Sequence, residues 1–419
     1  MNGQANQSFL ARRMFSCVAF VTGLAAFFGC AEEPTKSIND PNTFGTRPAP
    51  VISSVTPSNV ALAGVTRITI TGQNFSSVKE ENLVYFDATR GEVLSASPTQ
   101  LLVKAPNLVK TPVQIKIAVL KSDLFSNILP YALEAAVLEV IKFKKDDETT
   151  EQKEQPWGIA SDAEGNLYFS LTSSGVGAGV KKLTPSGAQT DFAPEPPGTA
   201  TKYSSLKVGP SGILYGATVE RRILQLSASS ATTWVSSGLG TIYDFDFDAE
   251  KNLWAGGNND FIYRVRADKN LKPFPFKANV RSVRIFNGHV YLAGNREGQE
   301  KVWRLPIVSA DVLGPEEEYY DYSANYGGNV WALTFAADGD MYLGTDAAEA
   351  ILVVHPNKTV EPLYSGLFVP KTLLFAWGKS TELFVAREKT IDGSANIIAS
   401  QTILRINMQK ESAPYYGRQ

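Results

Sequence analysis

Six positions in the C-terminal two thirds of the chain carry side chains suited to ligand binding. They occupy equivalent places near the starts of repeated apolar strands, and they are Trp157, Ser204, Tyr243, Arg281, Trp331 and Lys371. Aromatic rings stack on sugars and on cations, and Arg and Lys hold anionic groups through charge-assisted hydrogen bonds. The set therefore predicts a site at a channel mouth for a sugar or an anionic group. The alternative is that Trp157 and Trp331 are wedges packed between repeated units.

A second aromatic cluster lies in a segment that lengthens one of the repeats. It contains Tyr319, Tyr320, Tyr322 and Tyr326 together with Asn, Asp and Gly. Rigid aromatic area beside hydrogen-bonding side chains is typical of adaptable recognition surfaces, which makes this segment a candidate recognition loop. An equally consistent interpretation is a fourth strand whose exposed edge is blunted by the preceding glutamates.

Residues for catalysis or metal binding are scarce in this sequence. The chain contains two His, His289 and His355, and two Cys, and we expect both His to be surface residues. The sequence contains no Gly-rich phosphate loop, no His-Glu metalloprotease motif and no Gly-x-Ser-x-Gly motif. We therefore predict no catalytic residues, no bound metal and no cofactor.

A repeated structural unit must position these side chains. Six copies of a polar turn lead into a strand that ends in an aromatic residue, and these residues are Tyr168, Tyr215, Trp254, Tyr291, Tyr342 and Phe384, spaced 37 to 51 residues apart. The spacing fits four short strands per unit, and six such units close into a β-propeller because no unit can bury both faces alone. An extra strand at 137–143 precedes the first unit, and we expect it to pair with the outer edge of the last blade.

The repeated unit resembles NHL-type repeats and, more loosely, the six-bladed SMP-30/gluconolactonase propellers, over residues 137–419. The second resemblance implies a divalent ion held by a Glu in the first blade and by Asn or Asp at later channel positions. Glu154 is similar to the first of these ligands. Lys371 stands where that family has Asn, and a cation beside a bound metal is unfavourable.

Residues 49–136 read as short alternating strands separated by turn residues, which predicts a β-sandwich. Four segments, at 50–58, 68–75, 95–101 and 126–131, resemble in order the IPT/TIG family of immunoglobulin-like domains. The resemblance implies a spacer or interaction module. The predicted fold class is therefore all-β, with an immunoglobulin-like β-sandwich followed by a six-bladed β-propeller.

The N-terminal segment predicts the cellular location. Two Arg residues precede an apolar run at 14–28, which is too short to span a bilayer, and the run ends shortly before Cys30. This arrangement resembles a bacterial lipoprotein signal peptide at residues 1–29, with Cys30 as the lipidated residue. Residues 30–48 are rich in proline and polar side chains and predict a flexible tether. Ala31, rather than Asp, after the Cys implies the outer membrane of a Gram-negative bacterium.

The chain is close to neutral, with 40 Lys and Arg against 42 Asp and Glu. That balance gives no basic surface for nucleic acid. We predict a monomeric, lipid-anchored protein of the cell envelope in which the tether and the sandwich present the propeller at 137–419. The propeller is expected to bind an envelope or extracellular protein or a glycan without catalysis. The alternative is a gluconolactonase-like hydrolase or lyase that acts on a lactone or a sugar acid.

Overall fold

The computed structural model describes residues 47–143, 154–198, 200, 202–391 and 397–418. The predicted signal peptide, Cys30 and most of the tether lie outside these residues. The described part consists of β-strands, loops and three short 3-10 helices, Lys79–Glu81, Pro210–Gly212 and Tyr416–Arg418. No helix in the described ranges is long and apolar enough to cross a membrane.

The N-terminal domain is a sandwich of two sheets. Its strands are β1 (Val51–Thr56), β2 (Val60–Leu62), β3 (Arg67–Gln73), β4 (Asn82–Phe86), β5 (Thr89–Arg90), β6 (Glu92–Ser97), β7 (Gln100–Lys104), β8 (Lys110–Val119) and β9 (Leu129–Glu134). One sheet has the order β1-β3-β7-β6 and the other has the order β2-β9-β8-β4-β5. Alternate side chains such as Ile68, Ile70, Val84 and Ile117 are fully buried between the sheets. The period-two pattern of the sequence causes this, because it places the apolar residues of each strand on one face.

The remainder of the described chain forms a ring of six four-stranded blades. Its strands are β10 (Val137–Lys142), β11 (Glu154–Ser161), β12 (Leu167–Ser173), β13 (Val176–Leu183), β14 (Gln189–Ala193), β15 (Ser205–Val208), β16 (Leu214–Thr218), β17 (Arg222–Ser227), β18 (Ser230–Val235), β19 (Asp244–Phe247), β20 (Leu253–Gly256), β21 (Asn258–Val265), β22 (Leu271–Phe286), β23 (His289–Arg296), β24 (Gln299–Ser309), β25 (Val312–Leu313), β26 (Glu317–Asp321), β27 (Val330–Phe335), β28 (Met341–Thr345), β29 (Ile351–Val354), β30 (Val360–Pro362), β31 (Thr372–Trp377), β32 (Glu382–Arg387), β33 (Thr390–Ile391), β34 (Ile397–Ala399) and β35 (Thr402–Asn407).

Each blade follows the predicted repeat. Blades 1, 2 and 5 are β11–β14, β15–β18 and β27–β30. The long strand β22 belongs to two blades, because residues 271–279 form the outer strand of blade 3 after β19–β21, while residues 279–286 form the inner strand of blade 4. Strands β23, β24 and β26 complete blade 4. Buried apolar clusters lie between neighbouring blades, so the blades stabilise one another.

Strand β10 closes the ring by completing blade 6, which also contains β31, β32 and β35. It pairs antiparallel with β35, from Val137 opposite Ile406 to Lys142 opposite Thr402. Phe143 follows the strand, is buried, and packs edge-on at 5.8 Å between ring centres against a Phe of blade 1. The prediction that the strand at 137–143 joins the last blade is therefore confirmed.

In blades 1 and 3 the turn motif is held by hydrogen bonds to an aspartate. In blade 1, Asp162 accepts hydrogen bonds from Asn166 Nδ2 at 2.8 Å and from the Tyr168 hydroxyl at 2.9 Å. Asp248 takes the same part in blade 3, with an Asn and a Trp as donors. Because one carboxylate satisfies the turn and fixes the ring, the aromatic residue can pack its apolar part between blades.

The C-terminal tail crosses the lower end of the central channel. We call the face at which the innermost strands begin the upper face, and the face with the repeated turns the lower face. Ala413 N donates to the carbonyl of Phe335 in blade 5 at 3.1 Å, and the Tyr416 hydroxyl donates to the carbonyl of Asp248 in blade 3 at 3.0 Å. The tail therefore covers the lower end of the channel, opposite the upper mouth where the predicted residues lie.

Candidate functional site

β-Bulges position three of the predicted residues at the upper mouth. In three blades the register between the first two strands shifts by one residue, and the extra residues are Trp157, Arg281 and Trp331. A bulge turns a side chain away from the regular alternation of a strand. These three side chains therefore depart from the alternation of the sheet faces at the upper mouth.

Three predicted residues lie together where blades 4, 5 and 6 meet. The guanidinium carbon of Arg281 is 5.1 Å, and Nζ of Lys371 is 5.6 Å, from the centre of the Trp331 ring. Cations at this distance are attracted to the negative face of an indole ring. We call Arg281, Trp331 and Lys371 the mouth trio.

Each cation of the mouth trio already has a carboxylate partner. The guanidinium of Arg281 forms an ion pair with Glu300, which is buried, and Lys371 Nζ donates to Glu388 Oε2 at 2.9 Å. The predicted set contained no carboxylate, whereas the structure places one beside each cation, and the binding of a sugar or an anionic group by this set stays a prediction. The trio presents an aromatic ring among paired charges, which offers both donors and acceptors.

A third carboxylate fixes the indole ring of the trio. Trp331 Nε1 donates to Asp346 Oδ2 at 3.0 Å, and the backbone and side chain of Asn329 donate to the same carboxylate at 2.6 and 2.8 Å. Burial opposes ionisation of Asp346, but these hydrogen bonds outweigh it and lower the pKa of the carboxyl group. The ring orientation is therefore held by a charged acceptor.

The other three predicted residues have different surroundings. Trp157 Nε1 donates to Thr172 Oγ1 at 2.8 Å, and Lys202 Nζ lies 2.9 Å from the centre of the Trp157 ring. Burial lowers the pKa of Lys202 to about 8. The Ser204 hydroxyl donates to a backbone carbonyl at the start of blade 3 at 2.9 Å, and Tyr243 is half-buried beside that point.

Several residues of the mouth that the sequence analysis missed share one position in the repeat. They follow the aromatic residue of the turn motif by four positions, and the six occupants are Thr172, Val219, Asn258, Asn295, Asp346 and Glu388. Thr172, Asp346 and Glu388 each bond to the predicted residue of their own blade. Aligning the repeats at this position reveals the polar positions at the upper ends of the second strands.

A buried polar network fills the channel below the mouth. Asp244 accepts hydrogen bonds from Ser205 at 2.6 Å and Lys207 at 3.0 Å on one oxygen, and from Ser282 at 3.0 Å and Arg284 at 2.7 Å on the other. Burial opposes ionisation of Asp244, but the two cations and the hydrogen bonds hold its pKa well below the ordinary value. The network joins blades 2, 3 and 4 and leaves beside it a cavity of about 50 Å³.

The predicted recognition tyrosines do not form an open surface. Tyr320 and Tyr322 are buried, and Tyr319 and Tyr326 are half-buried, in the apolar cluster between blades 4 and 5. Residues 317–321 form β26, the outer strand of blade 4. The recognition-loop interpretation is therefore corrected in favour of the fourth strand, because packing against blade 5 takes up the aromatic area.

Neither histidine lies at the mouth. His289 follows the turn of blade 4, and His355 lies in a turn of blade 5, where its Nδ1 is 2.7 Å from Asp340 Oδ1. Both turns are on the lower face. Among the residues that the structure describes, no group of three His, Cys, Asp or Glu is arranged to hold a metal ion.

Comparison with known proteins identifies the family of the N-terminal sandwich. Residues 50–132 match the IPT/TIG domain family. This match confirms the resemblance of the four sequence segments. The sandwich is hereafter called the IPT/TIG domain, and no curated protein matches the chain in sequence.

Several solved structures are similar to this chain. A putative phosphatase from Bacteroides thetaiotaomicron has a TM-score of 0.55 and 10% identity, covering 87% of this chain and 98% of its own. An auxiliary nutrient binding protein from the same species scores 0.49 at 11% identity, with 87% and 99% covered. Virginiamycin B lyase from Staphylococcus aureus scores 0.44 at 12% identity, with 62% and 86% covered. The first similarity shows the fold alone, and the two lower scores add no argument.

Proposed function

We propose that this chain is a lipid-anchored protein of the cell envelope whose propeller binds a protein or glycan partner without catalysis. Cys30 carries the lipid, residues 30–48 form the tether, and the outer membrane is the site of attachment. The partner binds at the upper mouth, on the mouth trio and the half-buried Tyr243.

The observation that carries this proposal is the construction of the mouth trio. Its ring is oriented by Asp346, and its two cations are held by Glu300 and Glu388. A surface of fixed aromatic area edged by paired charges suits hydroxyl-rich or mixed polar ligands, because hydrogen-bond donors and acceptors stand side by side. Such a surface binds by shape and hydrogen bonding.

The lower end of the channel supports the choice of the upper mouth. The C-terminal tail covers that end, and the network around Asp244 fills the interior. A partner that approaches the channel therefore meets polar side chains only from above. Strand β10 begins at the lower face, because it runs antiparallel to β35, so the IPT/TIG domain attaches on the side opposite the mouth.

Replacing Lys371 with Ala is expected to weaken partner binding about tenfold or more, because it removes a charge-assisted hydrogen-bond donor. The ion pair of Lys371 with Glu388 is partly exposed, so the free energy of unfolding should change by no more than about 1 kcal/mol. Immobilised protein would be incubated with envelope extracts and with purified glycans, and the retained material would be quantified.

The matched control is Lys269→Ala, which removes an exposed lysine from a turn on the lower face. This variant should retain as much partner as the wild type. Arg281 is unsuitable for the test, because its removal leaves Glu300 buried without its cation and would destabilise the fold. Equal retention by the Lys371 and Lys269 variants would move the binding site away from the mouth trio.

A further inference from the structure

One end of the IPT/TIG domain is unusually apolar at its surface. Six large apolar side chains there are 41–67% exposed, and they are Val51, Val78, Leu120, Leu124, Phe125 and Ile128. Singly exposed apolar residues are common, but a group of this size on one end of a small domain marks a contact surface. We call these six residues the apolar tip.

The topology places the apolar tip at the end remote from the propeller. Strand β1 begins there, β8 ends there, and residues 120–128 connect β8 to β9. Strand β9 runs from the tip to the opposite end, where the chain continues into the propeller. At that opposite end, Gln409 of the propeller donates to Thr66 of the IPT/TIG domain at 3.3 Å.

The loop of the apolar tip is fixed, so its exposure is built into the fold. The Ser126 hydroxyl accepts a hydrogen bond from Ile117 N at 2.9 Å. The Asn127 side chain accepts from Ile52 N at 2.8 Å and donates to the carbonyl of the same residue at 3.0 Å. These bonds join the loop to both sheets and keep Leu124 from folding inward, because both anchoring residues are held in place.

The tether arrives at the same end. Arg47 N donates to the carbonyl of Lys121 at 3.0 Å, and its guanidinium pairs with Glu81 at 2.6 Å. Residues 31–46 separate this point from Cys30. A chain of that length spans at most about 60 Å even when fully extended, so a lipid on Cys30 keeps the apolar tip within reach of the bilayer.

We infer that the apolar tip rests in the interface of the membrane that holds the lipid anchor. This inference rests on the proposed lipid attachment at Cys30. Leu124 and Ile128 enter the boundary between headgroups and acyl chains, as the apolar faces of interfacial segments do, while Phe125 packs edge-on against Tyr85 with Lys116 Nζ 4.8 Å from its ring centre. An apolar contact beside the anchor adds to the attachment and also orients the propeller with its mouth away from the bilayer.

A unique thiol tests the inference directly. The chain has two Cys, of which one lies in the predicted signal peptide and the other carries the lipid. In the lipidated full-length protein, Leu124→Cys therefore offers one free thiol for an environment-sensitive fluorophore. After reconstitution in phosphatidylethanolamine and phosphatidylglycerol vesicles, the label should lose about half of its fluorescence to nitroxide-bearing lipids, since interfacial residues lie within about 10 Å of the headgroups.

The matched control is Val109→Cys, an exposed position at the opposite end of the same domain. Its label should stay accessible to aqueous iodide and be unaffected by the nitroxide lipids.

Equal behaviour of the two labels on protein that floats with the vesicles would overturn the inference and leave the lipid anchor intact. Protein that does not float would overturn the anchor and the inference with it. Protection of the label at position 124 that persists in detergent and grows with protein concentration would indicate self-association instead of membrane contact.

Discussion

Replacing Asp244 with Asn is expected to lower the free energy of unfolding of the propeller by about 3–5 kcal/mol. The substitution keeps the shape of the side chain but removes the negative charge that Lys207 and Arg284 share. Two largely buried cations would then face each other without their common partner. Urea unfolding followed by tryptophan fluorescence reports on the propeller alone, because all six Trp residues follow residue 150.

An exposed ion pair provides the control for this prediction. Asp191 pairs with Lys181 while 85% of its side chain is exposed, so Asp191→Asn should cost no more than about 1 kcal/mol.

The effect of Asp244→Asn should also depend on pH. The folded-state pKa of Asp244 lies below its ordinary value of 3.8, so its stabilisation is present above that pH and is lost as the pH falls below it. A variant as stable as the wild type at pH 7 would contradict a structural role for the network.

Removing strand β10 is expected to destabilise the propeller more than any single core substitution, by over about 3–5 kcal/mol. The strand supplies the outer edge of blade 6 and leads to Phe143, which packs against blade 1. Its loss exposes the backbone of β35 as an unpaired edge, which invites association with other chains. A chain that begins at Glu151 should therefore aggregate or unfold at much lower urea concentration than a chain that begins at Ala135.

The chain that begins at Ala135 is the matched control for this comparison, because it lacks the IPT/TIG domain but keeps β10. It should unfold close to the transition of the full-length protein when followed by tryptophan fluorescence. Equal stability of the two shortened chains would mean that pairing of β10 with β35 does not close the ring. The C-terminal tail makes a single bridge, between Ser412 and Ala336, and offers no replacement strand.

Much of the fold was predictable because it follows from local periodicity. The alternation in β3 and the six polar turns that lead to an aromatic residue depend on residues close in sequence, and each predicts its strand without knowledge of the partner. The extra strand before the first blade was also predictable, because closed rings remove exposed edges. The double use of β22 was not predicted, since no turn residue marks the passage between blades 3 and 4.

The candidate site was predictable only in part. Aligning the repeats found Trp331 and Lys371, because both occupy the same position near the start of the first strand of their repeat. It missed Glu388, because the alignment was read at the first strands only, and the contact of Glu388 with Lys371 depends on the pairing of the first strand with the second. The tyrosine cluster was interpreted as a recognition loop, because aromatic residues suit both recognition surfaces and buried cores. The contact of blade 4 with blade 5 shows that these residues are part of the core.

The central claim is that the upper mouth of the propeller binds an envelope partner, and photocrosslinking in intact cells tests it most directly. A photoreactive phenylalanine derivative would replace Tyr243 at the mouth or, as the matched control, Lys269 on the lower face. We expect irradiation to join the protein to one reproducible partner from position 243 and to none from position 269. The Lys371→Ala substitution should abolish the product at position 243. A product that forms from position 269 and not from position 243 would contradict the account.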